Sequence, residues 1–130
     1  MKQFAAGTPA SQLDTKGWVT QQWLRFLVSL PERVSMAQLA DLDRAFALSK
    51  SGNSEILFAW LRIAIRHRYR PAMPALEHFL RSQGRRKFLR PLYDDLMKTS
   101  WGPAVARRVY QQARPTYHAV TVITLDTIVK

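Results

Sequence analysis

Four cations within six residues dominate the chemistry that this chain can offer. The run Gly84-Arg85-Arg86-Lys87-Phe88-Leu89-Arg90-Pro91 places them directly after a glycine and ahead of a helix-compatible stretch, 92–98. A helix N-terminus already carries partial positive charge, so stability alone favours Asp or Glu there. Arginine and lysine heads converging with unbonded N–H groups at such an end suit an anion, a carboxylate or a phosphate. The same run also reads as a solvated basic turn between two helices, the usual fate of a charge run. Spacing leaves both readings open.

Other chemistry is sparse. The chain has no His-Glu-x-x-His, no Gly-x-Ser-x-Gly, no Walker phosphate loop and no Gly-x-Gly-x-x-Gly. His67, His78 and His118 lie far apart without ligand spacing, and read as packed or surface residues rather than metal ligands. Asp94 and Asp95 are adjacent on a helix and point in different directions, which argues against a carboxylate dyad. Arg90 sits four residues before Asp94, so an ion pair within the helix is the simpler expectation. Trp18, Trp23, Trp60 and Trp101 stand among apolar neighbours, as core anchors do. No catalysis by this chain alone is expected.

The elements that must position the basic run emerge from composition and periodicity. At 130 residues and 47% hydrophobic, the chain is long enough to bury a core. It has no cysteine, which removes disulfides, thiolate chemistry and zinc ribbons. No apolar run reaches the ~18 residues a spanning helix needs, and 1–7 lack the apolar core of a secretion signal. A soluble domain is expected. The net charge of +11 is uneven: 1–61 carry six Lys/Arg against five Asp/Glu, and 62–130 carry fourteen against four. A half with net +10 points to an anionic partner, whether nucleic acid, anionic membrane, acidic protein or acidic substrate.

Residues 1–16 read as a lead-in, with Gly7, Pro9 and few apolar side chains. A first helix over 18–30 carries Trp23, Phe26, Leu27 and Leu30 at helical spacing and closes at Pro31. Ser35 with Gln38 forms a capping box for a second helix running to Phe46. Asn53 caps a third, 54–68, whose wide apolar surface implies burial on more than one side. A fourth, 71–82, takes Pro71 and Pro74 in its first turn, with Gly84 as its C′ residue. A fifth runs from about Lys87 to Lys98, early enough for Pro91 to fall where N–H groups lack partners. A sixth covers 104–113. The Val, Ile and Thr content of 118–129 favours a strand. Its stripe Ala119, Val122, Leu125, Val129 and the lack of a pairing partner favour a helix, and a helix is expected. About seven helices joined by short loops imply an all-α fold of antiparallel pairs, in a bundle or a curved α-solenoid.

Three strings together point to a family: Asn53-Ser54-Glu55-Ile56 with Trp60-Leu61-Arg62, then Gln83-Gly84-Arg85-Arg86-Lys87-Phe88-x-Arg90-Pro91-Leu92, then His118-x-Val120-Thr121. Over 17–129 the chain resembles the C-terminal helical domain of the leukotriene A4 hydrolase and aminopeptidase B subfamily of zinc aminopeptidases. The Gly-Arg-x-Lys-Phe-x-Arg-Pro string carries most of the specificity. The resemblance implies an armadillo-like α-α superhelix of antiparallel helices over 17–130, preceded by a linker over 1–16. It implies a partner, a thermolysin-like catalytic domain in cis or in trans, which would hold the zinc. No cofactor is expected in this chain. The family's carboxylate-recognising Arg and Lys fall on Arg85 and Lys87, which would grip the C-terminal carboxylate of a short peptide substrate or the carboxylate of a lipid epoxide. Arg86 and Arg90 match the string without an assigned substrate role.

The chain departs from the family in two respects. No zinc ligands, general base or amine-binding residues are present, because the catalytic domain is missing. Ala119 stands where relatives commonly have Pro, which touches only the start of the last helix. On this reading the setting is cytoplasmic, with neither membrane nor nucleic acid as partner. The alternative is a free-standing basic helical adaptor that binds nucleic acid or an acidic protein through its charged half.

Overall fold

The computed structural model describes residues 18–30 and 34–129. The expected lead-in, 1–16, and Pro31, expected to close the first helix, lie outside the described residues. Among those described there are seven α-helices and no strand, so the fold class is all-α. The chain divides into two compact units with the boundary between Tyr69 and Arg70.

The first unit contains α1 (Thr20–Val28), α2 (Met36–Phe46) and α3 (Ser54–His67), with a 3-10 turn at Leu48–Lys50. Ser35 caps α2 as its sequence implies, its hydroxyl accepting from Gln38 N–H while Gln38 reaches back to the Ser35 N–H. Asn53 caps α3, its Oδ1 accepting from Glu55 and Ile56 N–H at 3.0 and 3.2 Å. Trp60, Leu61, Ile63, Ala64 and Ile65 are all buried, which covers more than half the circumference of α3. α1 packs on this helix. Trp60 is the expected core anchor, fully buried, with its indole N–H donating to Ser49 Oγ at 2.9 Å. Trp18, Trp23 and Trp101 are half-buried, and the first two form an aromatic cluster with Phe26 and Phe46.

Two non-glycine residues end helices in the left-handed region, Ala47 and Arg68. Arg68, at φ 51°, turns the chain so that Tyr69 N–H bonds Ala64 C=O. The strain at Arg68 is held in place by its neighbour: Tyr69 is buried and donates to Asp43 at 3.2 Å. Asp43 also accepts from the N–H and the hydroxyl of Ser49, both at 2.8 Å. One carboxylate thereby joins the end of α2, the 3-10 turn and the exit from α3. His67 is packed, as expected. Its Nδ1 donates to Ile63 C=O at 2.9 Å and its Nε2 accepts from Val34 N–H at 3.0 Å, which fixes the tautomer.

The second unit contains α4 (Met73–Ser82), α5 (Arg86–Met97), α6 (Gly102–Ala113) and α7 (Ala119–Asp126), with 3-10 turns at Arg70–Ala72 and Arg114–Thr116. α6 packs on both α4 and α5, and α7 packs on α5. Its core is Leu76, Phe79, Leu80, Phe88, Leu89, Leu92, Tyr93, Leu96, Ala106, Val109 and Leu125. Inside it, Tyr93 and Tyr117 pair hydroxyl to hydroxyl at 2.9 Å, and Tyr117 donates to Leu80 C=O. Both hydroxyls are thereby satisfied, as burial requires.

In the second unit the placement of Pro71, Gly84 and Pro91 differs from expectation. Pro71 falls in the 3-10 turn, and α4 starts at Met73 with Pro74 in its first turn. Gly84 does not terminate α4 in a left-handed conformation: Gln83 is already extended (φ −86°, ψ 129°), so an ordinary side chain ends the helix. Pro91 is the sixth residue of α5, past the first turn, where it has no N–H to donate to Lys87 C=O. The last segment is a helix. His118 caps it, with Nδ1 accepting from Val120 N–H at 3.3 Å.

Candidate functional site

The basic run is placed by the residues between its cations. Phe88 and Leu89 are buried, and Phe88 meets Phe79 of α4 edge to face at 5.8 Å between ring centres. Burying these two side chains fixes the rotation of α5 and leaves Arg86, Lys87 and Arg90 exposed. Arg85 is the N-cap, extended at φ −82° and ψ 119°, without a side-chain cap and with no acid in the first turn. Its carbonyl accepts from Phe88 and Leu89 N–H at 3.0 and 3.1 Å, while its own N–H donates to Gln83 Oε1 at 3.1 Å. The helix therefore begins with its positive dipole end reinforced by cations rather than offset.

Arg85, Arg86, Lys87, Arg90 and Pro91 line one open depression of about 760 Å³. Among the described residues no Asp or Glu lines it. Arg86 Nη1 reaches Thr124 Oγ1 of α7 at 3.3 Å, and Lys87 Nζ lies 4.8 Å from the centre of the Phe88 ring. The sequence-assigned pair, Arg85 and Lys87, thus lines one cavity together with Arg86 and Arg90, to which the sequence assigns no substrate role. Thr124 has no signal in the sequence, being 38 residues away. α7 also exposes Val120 and Ile123 to solvent.

The expected Arg90–Asp94 pair does not form. Asp94 pairs with Lys98 at 3.0 Å instead. An acid four residues before a base suits the helix dipole and side-chain lean better than the reverse order, which is what Arg90 and Asp94 present. Two further acids of this unit are also committed. Glu77 accepts both guanidinium nitrogens of Arg108, at 2.8 and 3.0 Å, and also takes Arg81. The bond from Arg108 holds the Glu77 carboxyl below its usual range against the opposing effect of burial. Asp126 takes a bidentate Arg114 at 3.1 and 2.8 Å and the Tyr110 hydroxyl at 2.5 Å. Arg114 first, then Tyr110, holds Asp126 down at about 2. Arg81, Arg108 and Arg114 are engaged in this way with two carboxylates, while the cations around the depression are concentrated. The arrangement can hold an anion by guanidinium and ammonium donors, best one with planar paired oxygens. Among the described residues, no group of three or more His, Cys, Asp or Glu is placed to hold a metal. His78 stands on α4 and His118 at the start of α7.

The family described as "Leukotriene A4 hydrolase, C-terminal" matches residues 18–129. The chain belongs to this family. Among curated proteins it is similar to leucine aminopeptidase 2 of Neurospora crassa, with 31% identity over 113 residues. It is also similar to aminopeptidase RNPEPL1 of Homo sapiens, with 33% identity over 116 residues. These matches cover 85% and 87% of the chain but only 17% and 16% of the relatives. The chain spans about one sixth of the length of the curated relatives it matches. It is a leukotriene A4 hydrolase-type C-terminal domain by sequence and all-α by structure. The basic depression lies within the matched region.

Proposed function

We propose that residues 17–130 act as the accessory domain of a zinc metallo-aminopeptidase and supply the grip on the substrate's C-terminal carboxylate. One observation carries this reading: among the described residues, four cations and no carboxylate line a single depression in a chain of aminopeptidase kinship. Arg85 gives the planar fork that pairs with two carboxylate oxygens, and Lys87 adds a second positive head beside it. A peptide held by its last carboxylate presents its far end at a fixed distance. The anchor therefore selects short peptides whose length spans the gap to the catalytic centre. That centre, with its zinc, belongs to a catalytic domain that is this chain's partner in cis or in trans.

The test is Arg85→Ala in the protein that joins this domain to its catalytic partner. Loss of one charge-assisted contact is worth roughly 1.5–3 kcal/mol, or about ten- to a hundredfold in kcat/KM for a tripeptide. An uncharged chromogenic amide should be cleaved as before. Unchanged tripeptide kinetics would remove the proposed role. The basic half also fits a nucleic-acid adaptor, which predicts steep salt dependence of DNA binding. Absence of DNA binding at low salt would dispose of that alternative.

A further inference from the structure

The depression holds more positive charge than one carboxylate can balance. Arg86 and Arg90 stand one helical turn apart on α5, where Cβ atoms are about 5–6 Å from each other and like charges repel. The nearest acid of suitable spacing, Asp94, is taken by Lys98. Arg86 has the neutral Thr124 hydroxyl as its partner. Among the described residues, no carboxylate lies within ion-pair distance of Arg85, Arg86 or Arg90. Arg90 and Pro91 lie in the second turn of α5, so the charged wall extends along the helix beyond its first turn.

A ligand matching this wall carries two anionic groups separated by about a side chain's length. A peptide ending in Asp or Glu has that form, since its terminal and side-chain carboxylates flank a single α-carbon. We propose that Arg90 reads the side-chain carboxylate of a terminal Asp or Glu. The depression then favours peptides with an acidic last residue. This rests on Arg85 and Lys87 gripping the terminal carboxylate. Arg90 sets specificity, and Arg85 and Lys87 set binding.

The experiment titrates the full chain by NMR with three N-acetylated tripeptides: Ala-Ala-Glu, Ala-Ala-Gln, and Ala-Ala-Gln with an amidated C-terminus. The Glu peptide should bind about two- to fivefold tighter than the Gln peptide, the range of an exposed ion pair. Added salt should narrow the gap. Arg90→Gln is an exposed change that leaves the core untouched. It should abolish the preference, so that the Glu and Gln peptides bind the variant equally. Equal affinities for the Glu and Gln peptides, with the amide weaker than both, would overturn this proposal and leave the anchor intact. An amide that binds as well as the acid would bring down the anchor, and this proposal with it. A Glu preference that survives Arg90→Gln, or no binding of the Glu peptide at millimolar concentration, would also overturn it.

Discussion

Arg85 and Gly102 show how differently single residues act in this chain. Arg85 is an exposed N-cap whose side chain makes no capping bond, so its replacement should change binding and spare stability. Gly102 is the reverse. A Cβ built there would sit 2.1 Å from Leu96 C=O and 2.3 Å from Thr99 Oγ1. Those atoms cannot move freely, because Thr99 Oγ1 donates to Leu96 C=O and accepts from Gly102 N–H. Gly102→Ala should therefore cost about 1–3 kcal/mol, the usual penalty for overpacking, measurable as a lower urea midpoint at unchanged slope. All four tyrosines are buried and held protonated. Burial comes first in each, and it pushes Tyr69 and Tyr110 to about 12. A raised folded pKa gives stability that is whole below about 10, the unfolded value. It is lost as pH climbs through about 12. Phenolate absorbance in the native chain should stay flat through pH 10 and then rise together with unfolding. A normal titration centred near 10 would contradict the packing of these rings.

α7 is the element whose place depends most on polar contacts. It is eight residues long and apolar nearly all round, too short to be stable alone. Leu125 and Thr121 bury one side, and Asp126 ties its end to Tyr110 and Arg114. The Asp126 carboxyl is depressed to about 2. Its stabilising effect is therefore full above the ordinary carboxylate range and lost as pH falls through about 2. Hydrogen exchange should show α7 amides protected at pH 3 in the wild type. Asp126→Asn should exchange faster there and at neutral pH alike. Equal protection in both would mean that apolar packing alone holds the helix.

Among the described residues there is one depression walled by cations and no group of three or more His, Cys, Asp or Glu placed to hold a metal. Zinc should accordingly leave the chain's melting temperature unchanged, since a tightly bound ligand would raise it. The chain with zinc should hydrolyse no peptide. Tm shifts on zinc addition, or chelator-sensitive hydrolysis by purified chain, would contradict this. Among the described residues no helix is long and apolar enough to cross a membrane. The exposed Val120 and Ile123 on α7 are two side chains, a small patch by the standard of interaction surfaces.

Much of this protein is written locally. Ser35 with Gln38 and Asn53 ahead of Glu55 encode helix starts within four residues, because the bonds they make are local. The wide apolar face of α3 is legible from spacing, whereas 118–129 reads as a helix only once its stripe is joined to the lack of any strand to pair with. The basic run announces a cluster of cations, since they are adjacent in the chain. Tertiary structure decides the rest. The contact between Arg86 and Thr124 spans 38 residues. The end of α4 without a left-handed glycine also depends on context. Such outcomes are set by which side chains are buried: placing Phe88 and Leu89 inward is what turns four cations toward one depression.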